Sequence, residues 1–405
     1  MTIRAANCCI AAALLFARSA AAETYHFGAI WDGAKVWKDA CITTKADRIE
    51  MVGPCTGAFV DLTRFTAIPG LIDLHTHMTY VLENRVSQAG RNAAVVYLAQ
   101  DNARKTLETG VTTVRDLGAS DYADIAMRDL INNGNMVGPR MFVAGYGLQI
   151  TRGRTSTPNT ADGPTEVLRV VRQQIGAGAD WVKMYGSTGS GRDVTGFETF
   201  TYEEMKAAAD AAHALGKKIA IHTYGPNGAR DAVRAGADSV EHATDMDDET
   251  IAEMVRRKTF YVPTIDHNRY YVDNYRKLNY PPTAVNDLND YIQRNLETAR
   301  KALKAGVRFG MGSDAVYTMF GENTRELGWF VKAGMTPEAA LRTATTAAAE
   351  LMGLEKTVGS LKPGTFADVV AVEGDPLSNI DVVIQKVRWV MKGGAIVVDK
   401  TGAVR

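Results

Sequence analysis

The chain has 405 residues, 46% of them apolar and 23% charged, with 46 Lys and Arg against 46 Asp and Glu. That length holds one large α/β unit plus a small accessory domain, or two to three ordinary domains, and the composition is that of a soluble globular protein. A formal net charge of zero, without any long Lys/Arg block, argues against nucleic acid and anionic membrane surfaces as partners.

In chain order, residues 1–22 read as an export signal. Arg4 gives a basic start, Ala5 to Phe16 is apolar, and Ala20-Ala21-Ala22 makes a small-residue cleavage site before Glu23, although Arg18 is unusual so close to it. The apolar run is too short for an ordinary membrane helix, and Cys8 and Cys9 follow Ala-Asn rather than a lipoprotein box. A periplasmic or secreted protein without a membrane anchor is expected. The mature chain then keeps Cys41 and Cys55, which in an exported protein could close a disulfide or remain two free thiols. Residues 23–66 carry short β-like runs broken by turns, and so do residues 356–405, for example Asp368–Glu373 and Val387–Lys392. Neither block is long enough for its own core. Both are expected to join as one small β-sandwich built from the two termini, with a larger unit at 67–355 inserted between them.

That inserted unit repeats a short apolar strand, a polar loop, an amphipathic helix and a small-residue stop. The strands fall at Ala67–Leu74, Val111–Asp116, Arg140–Ala144, Asp180–Tyr185, Lys218–His222, Ser239–His242, Phe260–Ile265 and Arg308–Gly312. Helices are expected near Ala93–Leu107, over Tyr202–Leu215, where Thr201 and Glu204 make a capping box, and over Tyr291–Lys304. Eight strand–helix units predict a parallel sheet closed as a (β/α)8 TIM-like barrel, whose chemistry belongs at the C-terminal strand ends.

Those ends carry the candidate site. His75 and His77, spaced i, i+2 on an extended strand, point to one face and can share a divalent transition metal. Lys183, His222, His242 and Asp314 occupy later strand ends, so four of the seven histidines fall on one ring.

Pro69-Gly-Leu-Ile-Asp-Leu-His-Thr-His77, Val182-Lys-Met-Tyr-Gly186, His222, Glu241-His242-Ala243 and Gly312-Ser-Asp314 together resemble the amidohydrolase superfamily over nearly the whole mature chain. The chain looks most like the branch with imidazolonepropionase-like proteins, Xaa-Pro and Xaa-Arg dipeptidases and ochratoxin-hydrolysing amidohydrolases. The resemblance implies two divalent metal ions, one held by His75, His77 and Asp314 and the other by His222 and His242. Lys183 would bridge them as a carbamate, N6-carboxylysine, since an ammonium cannot ligate a cation. Otherwise Lys183 is a buried lysine paired with Asp314. Zinc suits such a nitrogen- and oxygen-rich site, and Mn, Co or Fe would also fit. Asp314 would serve as catalytic proton carrier, or as ligand only.

Substrate contacts are less constrained. Tyr224, two residues past His222, either meets a substrate carboxylate, as the dipeptidase-like relatives suggest, or packs as an aromatic. Arg152 and Arg154, where many relatives have a glycine- and histidine-containing stretch, either form a carboxylate fork or are solvated loop charge. In the segment Asp266–Tyr271, His267 is a polar substrate contact or a hydrogen-bonded loop residue. The glycine-rich loop at 186–192 lacks the ending of a phosphate-binding loop and reads as a rim loop. The expected activity is metal-dependent hydrolysis of an amide bond in a small carboxylate-bearing molecule, a dipeptide or an N-acyl amino acid. A cyclic-amide or imidazolone hydrolase and a non-catalytic metal- or ligand-binding barrel are the alternatives. A homo-oligomer is left open.

Overall fold

The computed structural model describes residues 22–81, 91–151, 159–191 and 193–402. Residues 1–21 of the proposed signal segment, Arg152 and Arg154 lie outside the described residues.

Strands from both ends of the chain form one sheet. β1 (Glu23–Trp31), β2 (Val36–Lys45), β3 (Arg48–Gly53) and β4 (Val60–Pro69) precede the inserted unit. It is built of β5 (Leu71–Thr76), β6 (Val111–Asp116), β7 (Arg140–Val143), β8 (Trp181–Tyr185), β9 (Lys218–Thr223), β10 (Ser239–His242), β11 (Phe260–Val262) and β12 (Arg308–Phe309). β13 (Val369–Val372), β14 (Val387–Lys392) and β15 (Ala395–Asp399) then return to the first sheet, whose order is β15-β14-β13-β4-β1-β2-β3. β14 and β1 are separated by two strands, about 14 Å along a flat sheet at the usual spacing. The Tyr25 and Trp389 rings nevertheless meet at 5.3 Å between centroids. The sheet therefore curls over its own apolar face, where Phe27, Ile42, Leu62, Val369 and Met391 form a separate core. The far edge is tied back too, through Ile49 N–H to Thr365 O and Ala367 N–H to Asp47 O.

Cys41 on β2 is joined to Cys55, 14 residues on, closing the β2–β3 hairpin. A loop of that length stabilises by about 3 kcal/mol through the unfolded chain. A Cys41→Ser/Cys55→Ser protein is expected to lose about that much in denaturant unfolding.

The expected first strand, Ala67–Leu74, is two strands. Gly70 separates them, its N–H bonding Asp368 O, and a Cβ there would overlap Thr112 and Asp368. The chain crosses at this point from the terminal sheet, which reaches Pro69 rather than residue 66, into the inserted unit. The eight parallel strands of that unit form a three-stranded sheet, β5-β6-β7, and a five-stranded sheet, β12-β11-β10-β9-β8. At one edge Asp180 N–H bonds Val143 O and Leu148 N–H bonds Lys183 O. At the other, Leu74 N–H bonds Met311 O and Asp314 N–H bonds His75 O. β5, β6 and β10 are buried at every residue and β9 at all but Lys218, as strands covered on both faces require.

Helices alternate with them: α1 (Arg91–Glu108), α2 (Ala123–Asn132), α3 (Pro164–Gly176), α4 (Tyr202–Ala214), α5 (Pro226–Ala235), α6 (Asp248–Arg257), α7 (Ile265–Asp273) and α8 (Pro282–Ala305). The Thr201–Glu204 capping box starts α4 as expected. α9 (Glu326–Ala333), α10 (Pro337–Thr343) and α11 (Thr346–Met352) follow β12, and α12 (Asp381–Gln385) lies between β13 and β14. Two expected boundaries are wrong in a related way. β11 stops at Val262 and β12 at Phe309, because the chain turns inward there to deliver side chains. The expected loop at Asp266–Tyr271 is helix α7.

Candidate metal centre

The side chains expected at the strand ends come together. His75 and His77 leave β5 and its following turn, Lys183 lies on β8, His222 on β9 and His242 at the end of β10, and all are buried. Asp314 follows β12. His242, Ala243, Thr264 and Asp314 all adopt positive φ, at 71°, 35°, 48° and 51°. Such conformations cost about 1–3 kcal/mol each for non-glycine residues and cluster where a site demands them.

The hydrogen bonds fix which ring nitrogens face inward. His75 Nδ1 lies 2.8 Å from Glu241 Oε2, and His77 Nδ1 lies 3.0 Å from the Gly118 carbonyl. His267 Nδ1 lies 2.8 Å from the backbone oxygen of Asp314. Each outer nitrogen meets an acceptor and therefore carries the proton, which leaves Nε2 of a neutral ring as a lone pair. Those inner nitrogens face the Asp314 carboxylate: His77 Nε2 at 3.2 Å and His75 Nε2 at 3.5 Å from Oδ1, and His267 Nε2 at 3.2 Å from Oδ2. Acceptors facing acceptors repel unless a cation or proton sits between them. Ligand atoms of His75, His242 and Asp314 all lie within 4.8 Å of one another. His222 packs against His242 at 4.5 Å between ring centroids, and its Nε2 is buried without a hydrogen-bond partner. The donor set fits a divalent transition metal, with outer partners orienting the imidazoles.

Charge states agree. Burial, reinforced by Lys183, pushes His75 well below its usual range and His222 down to about 3, and burial with the neighbouring rings does the same to His242. These rings are neutral and able to ligate. Burial works to raise Asp314, but His267, His75 and His77 hold it far below the usual carboxylate range. His77 is the exception: burial lowers it, yet the Asp314 hydrogen bond and charge carry it upward overall. Burial brings Lys183 down to about 8. Its Nζ lies 3.3 Å from His75 Nε2, and among the described residues it makes no ion pair with Asp314.

Tyr224 is buried between two rings, stacked on His222 at 5.1 Å and on Tyr291 at 4.7 Å. His267 stands in the site and is no loop residue. Glu241, Arg115, Gly118 and Thr264 have no role assigned from sequence. Arg115 donates to Glu241 Oε1 at 2.8 Å, and Glu241 in turn orients His75. An Arg115–Asp116 pair closing an otherwise uncharged, wholly buried strand was the available signal. Thr264 Oγ1 lies 2.6 Å from His242 Nδ1.

A cavity of about 610 Å³ opens beside His77, walled by Tyr80, Gly118, Tyr146, Gln149, Tyr185 and Ser187 among others. The glycine-rich loop after β8 lies across the aromatic side of the site. A Cβ on Gly189 would overlap Tyr224, one on Gly191 would overlap Tyr271, and one on Gly196 would overlap the Gly225 backbone. Gly196→Ala meets backbone and cannot be relieved by a rotamer change, so it is expected to destabilise by about 1–3 kcal/mol. Gly176→Ala, in open space on α3, is expected to be neutral or to stabilise by about 0.5–1 kcal/mol. Thermal unfolding of the two proteins side by side checks the contrast.

A model of the amidohydrolase family matches residues 66–397. The solved structure of a Xaa-Pro dipeptidase with methionine bound in its active site superposes with a TM-score of 0.84 at 30% identity, over 93% of this chain and 99% of that one. A prolidase solved with N-methylphosphonate-L-proline superposes at 0.83 with 25% identity, over 93% of this chain and 100% of that one. The ochratoxinase of Aspergillus niger is 29% identical over 368 residues, 81% of this chain and 75% of the relative. The chain belongs to the amidohydrolase family and is a hydrolase of carbon–nitrogen bonds.

Proposed function

We propose that this protein is an exported, metal-dependent amidohydrolase that cleaves the amide bond of a small carboxylate-bearing substrate, a dipeptide or an N-acyl amino acid. The observation that carries the reading is the convergence of three buried imidazole Nε2 atoms on the Asp314 carboxylate. Hydrogen bonds at both seams between the two parallel sheets support a closed (β/α)8 barrel. The Cys41–Cys55 disulfide supports an oxidising compartment, periplasmic or extracellular.

His75, His77 and Asp314 would hold one divalent ion and His222 and His242 a second, zinc being the natural choice. Lys183, as a carbamate, would bridge them. An ordinary lysine is almost wholly protonated at pH 8, whereas a group at about 8 is about half neutral there, and only the neutral amine adds carbon dioxide. When bound, such ions polarise the substrate carbonyl and make hydroxide available near neutral pH. The residues supply the rest. Asp314 accepts the proton of the attacking water and returns it to the leaving nitrogen. His267 holds Asp314 from its other oxygen and its backbone, and faces the substrate. Tyr224, backed by His222 and Tyr291, presents its hydroxyl to the substrate carboxylate, and Arg152 and Arg154 are proposed as further contacts to that carboxylate.

The test is incubation of the zinc-loaded mature protein with dipeptides and N-acyl amino acids, products being read by mass spectrometry. Release of free amino acids is the expected result. Intact substrates in the presence of bound metal would overturn the reading.

A further inference from the structure

Asn268 is a buried amide whose nitrogen the fold leaves unpaired. It sits on α7 one residue past His267 and is 1% exposed. Its Nδ2 is buried and has no hydrogen-bond partner. Leaving two amide protons unmet in the interior is costly, and native structures keep such a group where water or a ligand completes it. The neighbours indicate which. His267, the preceding residue, contacts Asp314, and Tyr271, one turn along α7, packs on the His267 ring at 4.9 Å. The Asn268 side chain also lies beside the Tyr224 phenol, where it offsets part of the upward push of burial on that group. Two polar groups from different elements, one just past β9 and one in the first turns of α7, thus lie side by side near the candidate metal centre. The loop carrying Gly189 and Gly191 lies over the Tyr224 and Tyr271 rings and shields that region.

We propose that Asn268 is a specificity-determining residue, whose side-chain amide and the Tyr224 hydroxyl together bind the carboxylate of the substrate. A carboxylate offers two oxygens and only accepts, so it can take both Asn N–H groups and the phenol at once. A carboxamide in the same place turns an NH2 toward these donors and loses at least one bond. The inference rests on the amide-hydrolase reading and adds the residue that reads the acid.

The experiment compares kcat/KM for one dipeptide as the free acid and as its C-terminal carboxamide, with wild type, Asn268→Ala and Asn268→Asp proteins of matched metal content and thermal midpoint. Wild type is expected to favour the acid by about a hundredfold or more, since donors left unpaired in a buried site discriminate strongly. Asn268→Ala is expected to lower that acid-over-amide ratio by about tenfold, chiefly through KM for the acid. Asn268→Asp, which sets like charge against the carboxylate, is expected to lower it further. A ratio equal in wild type and both variants would overturn the proposal and leave Asn268 with a bound water. Hydrolysis of neither compound by wild type would instead overturn the amide-hydrolase reading itself. If Asn268→Ala does not fold, Asn268→Ser, which keeps one donor in less volume, is expected to give an intermediate ratio, and a wild-type ratio there overturns the proposal.

Discussion

Replacing Asp314 with Asn is expected to lower kcat by about a thousandfold while the protein keeps its fold. The amide has nearly the carboxylate's shape, so the packing against His75, His77 and His267 is preserved. What it cannot do is accept a proton. General acid–base groups contribute about 10²–10⁴-fold, and here one group would serve both the attack and the departure of the amine. The three histidines around Asp314 keep it ionised at working pH against the opposing effect of burial, so it is ready to act as a base. The measurement is single-turnover rate on protein whose metal content has been determined beside it. Full metal with lost turnover assigns Asp314 as proton carrier. Lost metal with lost turnover reduces it to a ligand.

Lys183→Ala is expected to weaken metal binding by at least about a hundredfold, because even partners one step removed from a metal are worth about 10–100-fold. The substitution removes the bridging group and leaves a buried space next to His75 and Glu241. A short carboxylic acid such as propionate can occupy that space and offer the two oxygens of the absent carbamate. Added propionate is therefore expected to restore part of the metal content and part of the turnover. Elemental analysis across a propionate titration reads this directly. Restoration by simple amines but not by carboxylates would mean that lysine acts as an amine and that no carbamate forms.

The strand ends were legible because the chemistry is periodic. His75 and His77 lie two apart in an extended run, and the small-residue stops before β8 and β10 locate Lys183 and His242 by counting. The capping box at Thr201 and Glu204 is equally local, and it appears as expected. What was hidden depends on contacts between distant segments. Glu241 orients His75 across 166 residues of chain, and Gly118 serves His77 through a carbonyl that any residue could supply. The short β11 and β12 follow from the same cause, since Thr264 and Asp314 leave the extended region to face the site, and no propensity announces a left-handed threonine or aspartate. His267 was ambiguous for a related reason. Helix α7 begins immediately after that turn, and its inward face, His267, Asn268 and Tyr271, becomes visible only when the segment is seen to be helical. The two ends were expected to join as one small β-sandwich; their strands share a single seven-stranded sheet, whose order depends on β4 sitting between β13 and β1.

The most direct test is a crystal of protein purified without chelator, with diffraction recorded on either side of a transition-metal absorption edge. The account predicts anomalous peaks among His75, His77, Asp314, Lys183, His222 and His242, with density extending the Lys183 side chain by a carboxylate. Active protein with no anomalous signal at these residues would contradict it.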